Sequence, residues 1–220
     1  MSGSVNARAE PAVEEPSPEV LVLGIGNVLW ADEGFGVRAV EALHRAWQLP
    51  PQVALVDGGT QGVYLLDHVC SARRVIVLDA IDFALAPGTL RVFRDAEVPE
   101  GSGRAMSLHQ ATFQELLGLA RVCGRFPEQI TLIGVQPAVL DDLGGSLSPP
   151  VRARLDEAVE LAVAELRAWG LEPLPRAEPA AEPLAADALA IAAYEAGRPS
   201  AHEACRIGDA RFLNQTQGAA

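Results

Sequence analysis

Apolar residues fall along this chain in short unbroken runs and in helical stripes, and the two kinds of segment alternate. Val20 to Ile25 (VLVLGI) is apolar throughout and stops at a glycine, the pattern of a strand buried on both faces. From Gly34 to Leu49, Val37, Val40, Ala42, Leu43 and Trp47 recur at helical spacing while Arg38, Glu41 and Arg45 point outward. A second strand is predicted over Val53 to Val56, stopped by Asp57-Gly58-Gly59, and a helix around Val63 to Val69. Arg74 to Leu78 (RVIVL) predicts a third strand ending at Asp79, and Pro87-Gly88 a turn before a strand at Leu90 to Phe93. Phe113, Leu116, Leu117 and Ala120 mark another helix, and Ile130 to Val135 (ITLIGV) a fifth strand. Ser148-Pro149-Pro150 starts a helix with Ser as N-cap and Pro at the first position; it runs to about Trp169 and ends at Gly170. Strands that are apolar throughout and alternate with helices predict an α/β, three-layer fold: a twisted, mostly parallel five-stranded sheet with helices on both faces.

The ends read differently. Residues 1–18 are rich in Pro, Glu and Ala and are expected to form a flexible extension. The folded domain is expected over 19–175, and 176–220 is an Ala/Pro/Glu-rich extension with a short helix around Leu184 to Glu195. The N-terminus lacks a basic start followed by an apolar run, and no stretch is apolar enough to span a bilayer, so no secretion or membrane insertion is expected. Cys70, Cys123 and Cys205 are widely spaced and odd in number, which favours reduced thiols and a cytoplasmic protein. A formal net charge of -12 disfavours nucleic acid and anionic membranes and makes a neutral or basic protein segment the easier partner.

In a sheet of this kind ligands sit at the carboxyl ends of the strands. Acidic residues gather there: Asp32-Glu33 after the first strand, Asp57 after the second, Asp79 after the third. Each has an ordinary structural reading. Asp32 and Glu33 precede a helix and suit its positive end, although Gly34 and Gly36 beside Glu33 weaken the first turn and free the backbone for close approach. Asp79 reads equally as a strand-end turn residue. Ser107 and Gln110 form a capping box that places His109 in a first helical turn, where the neutral, metal-binding ring is favoured or the residue is simply exposed. Two carboxylates and a neutral imidazole would compensate a divalent ion, suit nickel, zinc and related metals, and leave coordination positions open.

Other chemistries fit less well. Gly24-Ile25-Gly26 with Asp57 resembles the opening of a dinucleotide fingerprint, but the third glycine position holds Leu29, with Trp30 next. Gly144-Gly145-Ser146-Leu147-Ser148 misses the last glycine of a nucleophile elbow, and no HExxH segment is present.

At these residues the chain resembles the hydrogenase maturation endopeptidases, specifically the type serving membrane-associated uptake nickel–iron hydrogenases. The matching segments are GIGNVLWADEGFGVRAVEAL (24–43), DGGTQG (57–62), VLDAIDFALAPGTLR (77–91), MSLHQ (106–110) and GVQPAVLDDLGGSLS (134–148), within about 19–175. The resemblance implies a twisted, mostly parallel five-stranded sheet between helices. It implies that Glu33, Asp79 and His109 are metal ligands, with Asp57 at a further position of interest. The implied activity is removal of a short C-terminal peptide from the hydrogenase large-subunit precursor after nickel insertion. The nickel would then be carried by the substrate, and another divalent metal could occupy the isolated protein. Asp57 and Asp32 are the candidates for a general base. The extension past Pro175 lies outside the core match; a docking arm and a disordered tail are both open for it. Two rivals remain: a nickel-binding chaperone of the same precursor that does not cleave it, and a nucleotide-dependent oxidoreductase.

Overall fold

The runs of Val, Leu and Ile do form strands, and the reason they are unbroken is visible on both sides of the sheet. The computed structural model describes residues 18–99, 108–184, 186 and 189–198, with 108–112 described through their backbone alone. In chain order the elements are β1 (Val20–Ile25), a 3-10 turn (Ala31–Gly34), α1 (Phe35–Ala46), β2 (Trp47–Gln48) and β3 (Val53–Gly59). A second 3-10 turn (Gly62–Leu65), α2 (Leu66–Ser71), β4 (Arg74–Ala80) and β5 (Leu90–Arg94) follow, then a 3-10 turn (Asp95–Glu97), α3 (Leu108–Val122) and β6 (Gln129–Val135). The last elements are α4 (Pro149–Arg152), α5 (Leu155–Ala168), β7 (Leu174–Pro175) and α6 (Ile191–Ala196).

The main sheet has the order β3-β1-β4-β6-β5. All its pairings are parallel except β5 with β6. Val20, Val22, Ile76, Leu78, Ile133 and Val135 face α1 and α5 in one core. Leu21, Leu23, Val75, Val77, Ile130 and Leu132 face α2 and α3 in the other. Successive residues of β1 and β4 therefore serve opposite layers, which is why Val20–Leu23 and Val75–Leu78 are apolar at every position. Each such side chain contributes about 1.5–3 kcal/mol through burial. The expected α/β three-layer architecture is the observed one.

Boundaries moved for identifiable reasons. The helix expected to reach Leu49 stops at Ala46, because Trp47 and Gln48 pair antiparallel with Pro175 and Leu174. β3 continues through Asp57 to Gly59, and β4 through Asp79 to Ala80, because their parallel neighbours still offer hydrogen bonds: Gly24 pairs with Asp57, and Asp79 with Gly134. The helix expected from Ser148 to Trp169 is divided between α4 and α5. Ser148 makes no side-chain cap to α4. Gly170 does take the left-handed conformation expected of a helix stop, with φ of 80°. Of the short helix expected around Leu184 to Glu195, the described residues form the turns of Ile191–Ala196. The Ser107–Gln110 capping box lies outside the described side chains. Among the described residues no helix is long and apolar enough to cross a membrane, and Cys70 and Cys123 are free thiols.

Candidate active site

The turn carrying Asp32 and Glu33 is pressed onto the ends of β1 and β4 by glycines. A Cβ on Gly36 would sit 2.0 Å from the Leu78 carbonyl oxygen and 2.3 Å from that of Ile25. Gly26 has φ of 142°, and a Cβ there would lie 1.8 Å from the Glu33 carbonyl oxygen. The Asn27 amide donates to that same oxygen at 3.2 Å. The glycines of the Gly24-Ile25-Gly26 turn thus face the chain's own backbone, and the gap that a pyrophosphate would need is filled. Gly36→Ala is expected to cost about 2–3 kcal/mol, since the obstructing atoms are backbone carbonyls that cannot rotate away; chemical denaturation measures it.

Asp79 sits beside this turn, 3 % exposed. Its Oδ1 accepts the Ala80 amide at 2.8 Å. Burial pushes its carboxyl well above the usual carboxylate range, the nearby Glu33 charge pushes it further, and the Ala80 hydrogen bond opposes both. Glu33 is half-buried in the 3-10 turn that leads into α1. The third predicted ligand, His109, lies in the first turn of α3, one turn before Phe113, which packs in the α2/α3 core. Its side chain falls outside the described residues. Among the described residues no three His, Cys, Asp or Glu side chains form a cluster that could hold a metal ion; Glu33 and Asp79 are the described pair of the predicted three.

The two general-base candidates are placed elsewhere. Asp32 is fully buried. Its Oδ2 accepts the Ala138 and Val139 amides at 2.8 and 2.9 Å and the Ser148 hydroxyl at 2.8 Å, and its Oδ1 accepts the Ser148 amide at 2.6 Å. Instead of capping a helix it ties residues 138–148 to the turn. Asp57 pairs with Gly24, which on its other side pairs with Leu78. Asp57 is therefore level with Leu78 and shares its face, the α1 face, while Asp79 is one residue further and points to the opposite layer. Burial raises the Asp57 carboxyl; the Gly59 amide, at 3.0 Å from its Oδ1, and the Arg38 charge lower it. Arg38, expected to point outward from its helix, is instead 4 % exposed and pairs with Glu41 at 2.9 Å.

Several organising residues were not singled out from sequence. Gln136 accepts the Phe83 and Leu85 amides at 2.7 and 3.1 Å and donates to Asp82 at 3.0 Å, which fixes the loop after β4. Trp30 bridges Leu143 and Gly145, and the Gly144 amide donates to the Leu29 carbonyl at 2.7 Å. Both Gln136 and Gly144-Gly145 stand in the quoted GVQPAVLDDLGGSLS segment, so the motif was visible while the partners, more than fifty residues away in sequence, were not.

The HycI family profile, described as hydrogenase maturation protease, matches residues 37–165, more than half of the chain. The chain belongs to the hydrogenase maturation protease family. Within it, the hydrogenase expression/formation protein HoxM of Cupriavidus necator is 54% identical over 199 residues, covering 89% of this chain and 98% of its own length. The hydrogenase 2 maturation protease of Escherichia coli is 42% identical over 158 residues, 71% of this chain and 96% of its own. Among solved structures of the family, the hydrogenase maturating endopeptidase HybD from E. coli superposes with a TM-score of 0.68 at 42% identity, covering 72% of this chain and 98% of that one.

Proposed function

We propose that this family member is an endopeptidase that removes a C-terminal peptide from the nickel-loaded precursor of a nickel–iron hydrogenase large subunit, with Glu33, Asp79 and His109 meeting the nickel the substrate carries. The observation that carries the reading is Asp79. A carboxyl buried at the carboxyl edge of the sheet, and disfavoured further by the Glu33 charge, is relieved by an incoming cation. Two carboxylates and an imidazole form a nitrogen/oxygen donor set suited to nickel. Substrate nickel held against the scissile bond supplies charge to polarise its carbonyl or to activate a water. In this reading the protein's own groups dock and orient that nickel. Asp32, with its acceptor positions filled by four donors, is a positioning residue. Asp57, directed at α1, orders the Gly58-Gly59 turn. Cytoplasmic residence, with reduced thiols, belongs to the same reading.

The deciding experiment incubates purified protein with nickel-loaded precursor and weighs the product. Loss of a C-terminal peptide is the expected result; an unchanged mass overturns the protease reading in favour of a nickel-binding chaperone. Glu33→Gln and His109→Ala are each expected to slow cleavage at least tenfold while leaving the folded core intact, and normal processing by both would remove them from the site. Because the nickel arrives with substrate, the protein alone is expected to bind nickel weakly, which calorimetric titration with the metal checks.

A further inference from the structure

The chain beyond Pro175 returns across the α1 face and reaches the loop that supports the site. Arg176 Nε donates to the His44 and Trp47 carbonyls at 3.2 and 3.1 Å, and His44 Nε2 lies 2.8 Å from the Glu182 carbonyl oxygen. Buried Arg38 donates to the Leu189 carbonyl and lies 5.6 Å from the centre of the Tyr194 ring. From α6, Glu195 accepts the Ser146 hydroxyl at 2.6 Å and a bidentate pair from Arg152 at 2.5 and 3.0 Å. The Tyr194 hydroxyl donates to the Gly145 carbonyl at 3.4 Å. Gly145 and Ser146 belong to the loop that bridges Trp30 and whose Ser148 binds Asp32. Two hydrogen-bonded steps therefore separate α6 from the turn bearing Glu33.

We propose that residues 189–198 form a strap whose Tyr194 and Glu195 hold the Gly145–Ser148 loop, and through it the Trp30–Glu33 turn, in the position needed to engage the precursor. Tyr194 and Glu195 are positioning residues that act through the loop. The inference rests on the protease reading of the Glu33 edge. Gly144, at φ of 76°, takes a conformation that suits glycine, so the loop follows the partners that hold it, Asp32 on one side and Glu195 on the other.

The test uses the full chain. Glu195→Ala is expected to lower kcat/KM for nickel-loaded precursor about tenfold, and to raise amide hydrogen exchange at Gly144 and Ser148 at least tenfold while exchange in β4 stays unchanged. Ser146→Ala, which removes the same bond from the loop side, is expected to shift both readouts in the same direction, and Glu195→Gln to recover part of the loss. An Ala192→Ser control on the exposed side of α6 is expected to behave as wild type. Wild-type kcat/KM in both Glu195→Ala and Ser146→Ala overturns the strap; absence of cleavage by the wild-type chain overturns the protease reading instead, and the exchange readout still decides whether the strap holds the loop.

Discussion

Asp79→Asn is expected to reduce processing of nickel-loaded precursor by two to three orders of magnitude, about the loss seen when a preorganised electrostatic group is removed from an active site, while making the metal-free protein more stable at neutral pH. The two effects have one cause. The carboxyl is almost fully buried, and its neighbour Glu33 carries the same charge. The amide keeps an oxygen to accept the Ala80 N–H, so the strand end is preserved while the penalty for an uncompensated buried charge disappears, a gain on the order of 1 kcal/mol or more. The pH dependence has a definite sign. A carboxyl raised in the folded state contributes stability below its unfolded value of about 4 and loses that contribution as pH climbs toward the folded value. The variant lacks this loss. Its advantage over wild type, measured by denaturation of metal-free protein, should be small near pH 4 and widen as pH rises. A variant less stable than wild type at every pH would mean that Asp79 is compensated in the folded protein without a cation.

Asp32→Ala is expected to be the most destabilising single substitution at this edge, by about 3–5 kcal/mol, or on the order of 10 °C in melting temperature for a chain of this size. The change leaves the amides of Ala138, Val139 and Ser148 and the Ser148 hydroxyl without their acceptor. Asn is a poor substitute, because its NH2 would face donors already pointing at it. Ser148→Ala removes one bond of the four and is expected to cost only about 1 kcal/mol. Equal losses from the two variants would show that the amide contacts contribute nothing and that the hydroxyl alone fastens the loop.

Much of the fold was legible because its strands are buried twice over. A run such as Val20–Ile25 has one reading when both faces must be apolar. The elements that escaped were those decided by distant partners. Trp47 and Gln48 continue a helical stripe, yet they pair with residues more than a hundred positions away. Ser148 has every local mark of an N-cap, and its hydroxyl is taken by Asp32 instead. The site was legible as an edge and less so as a geometry. Asp57 and Asp79 both stand at carboxyl ends, but which face each serves depends on register across β1, where Gly24 sets Asp57 level with Leu78. No local pattern around Tyr194 or Glu195 announces contacts with Gly145 and Ser146, forty-nine residues earlier.

That register makes the sheet a wall between two acidic compartments. Asp79 answers to burial and Glu33, Asp57 to burial, Gly59 and Arg38, and neither carboxyl figures in the other's shift. Substitutions around Arg38, which donates to the Leu189 carbonyl and lies against the Tyr194 ring, therefore bear directly on the acidity of Asp57 and not on that of Asp79.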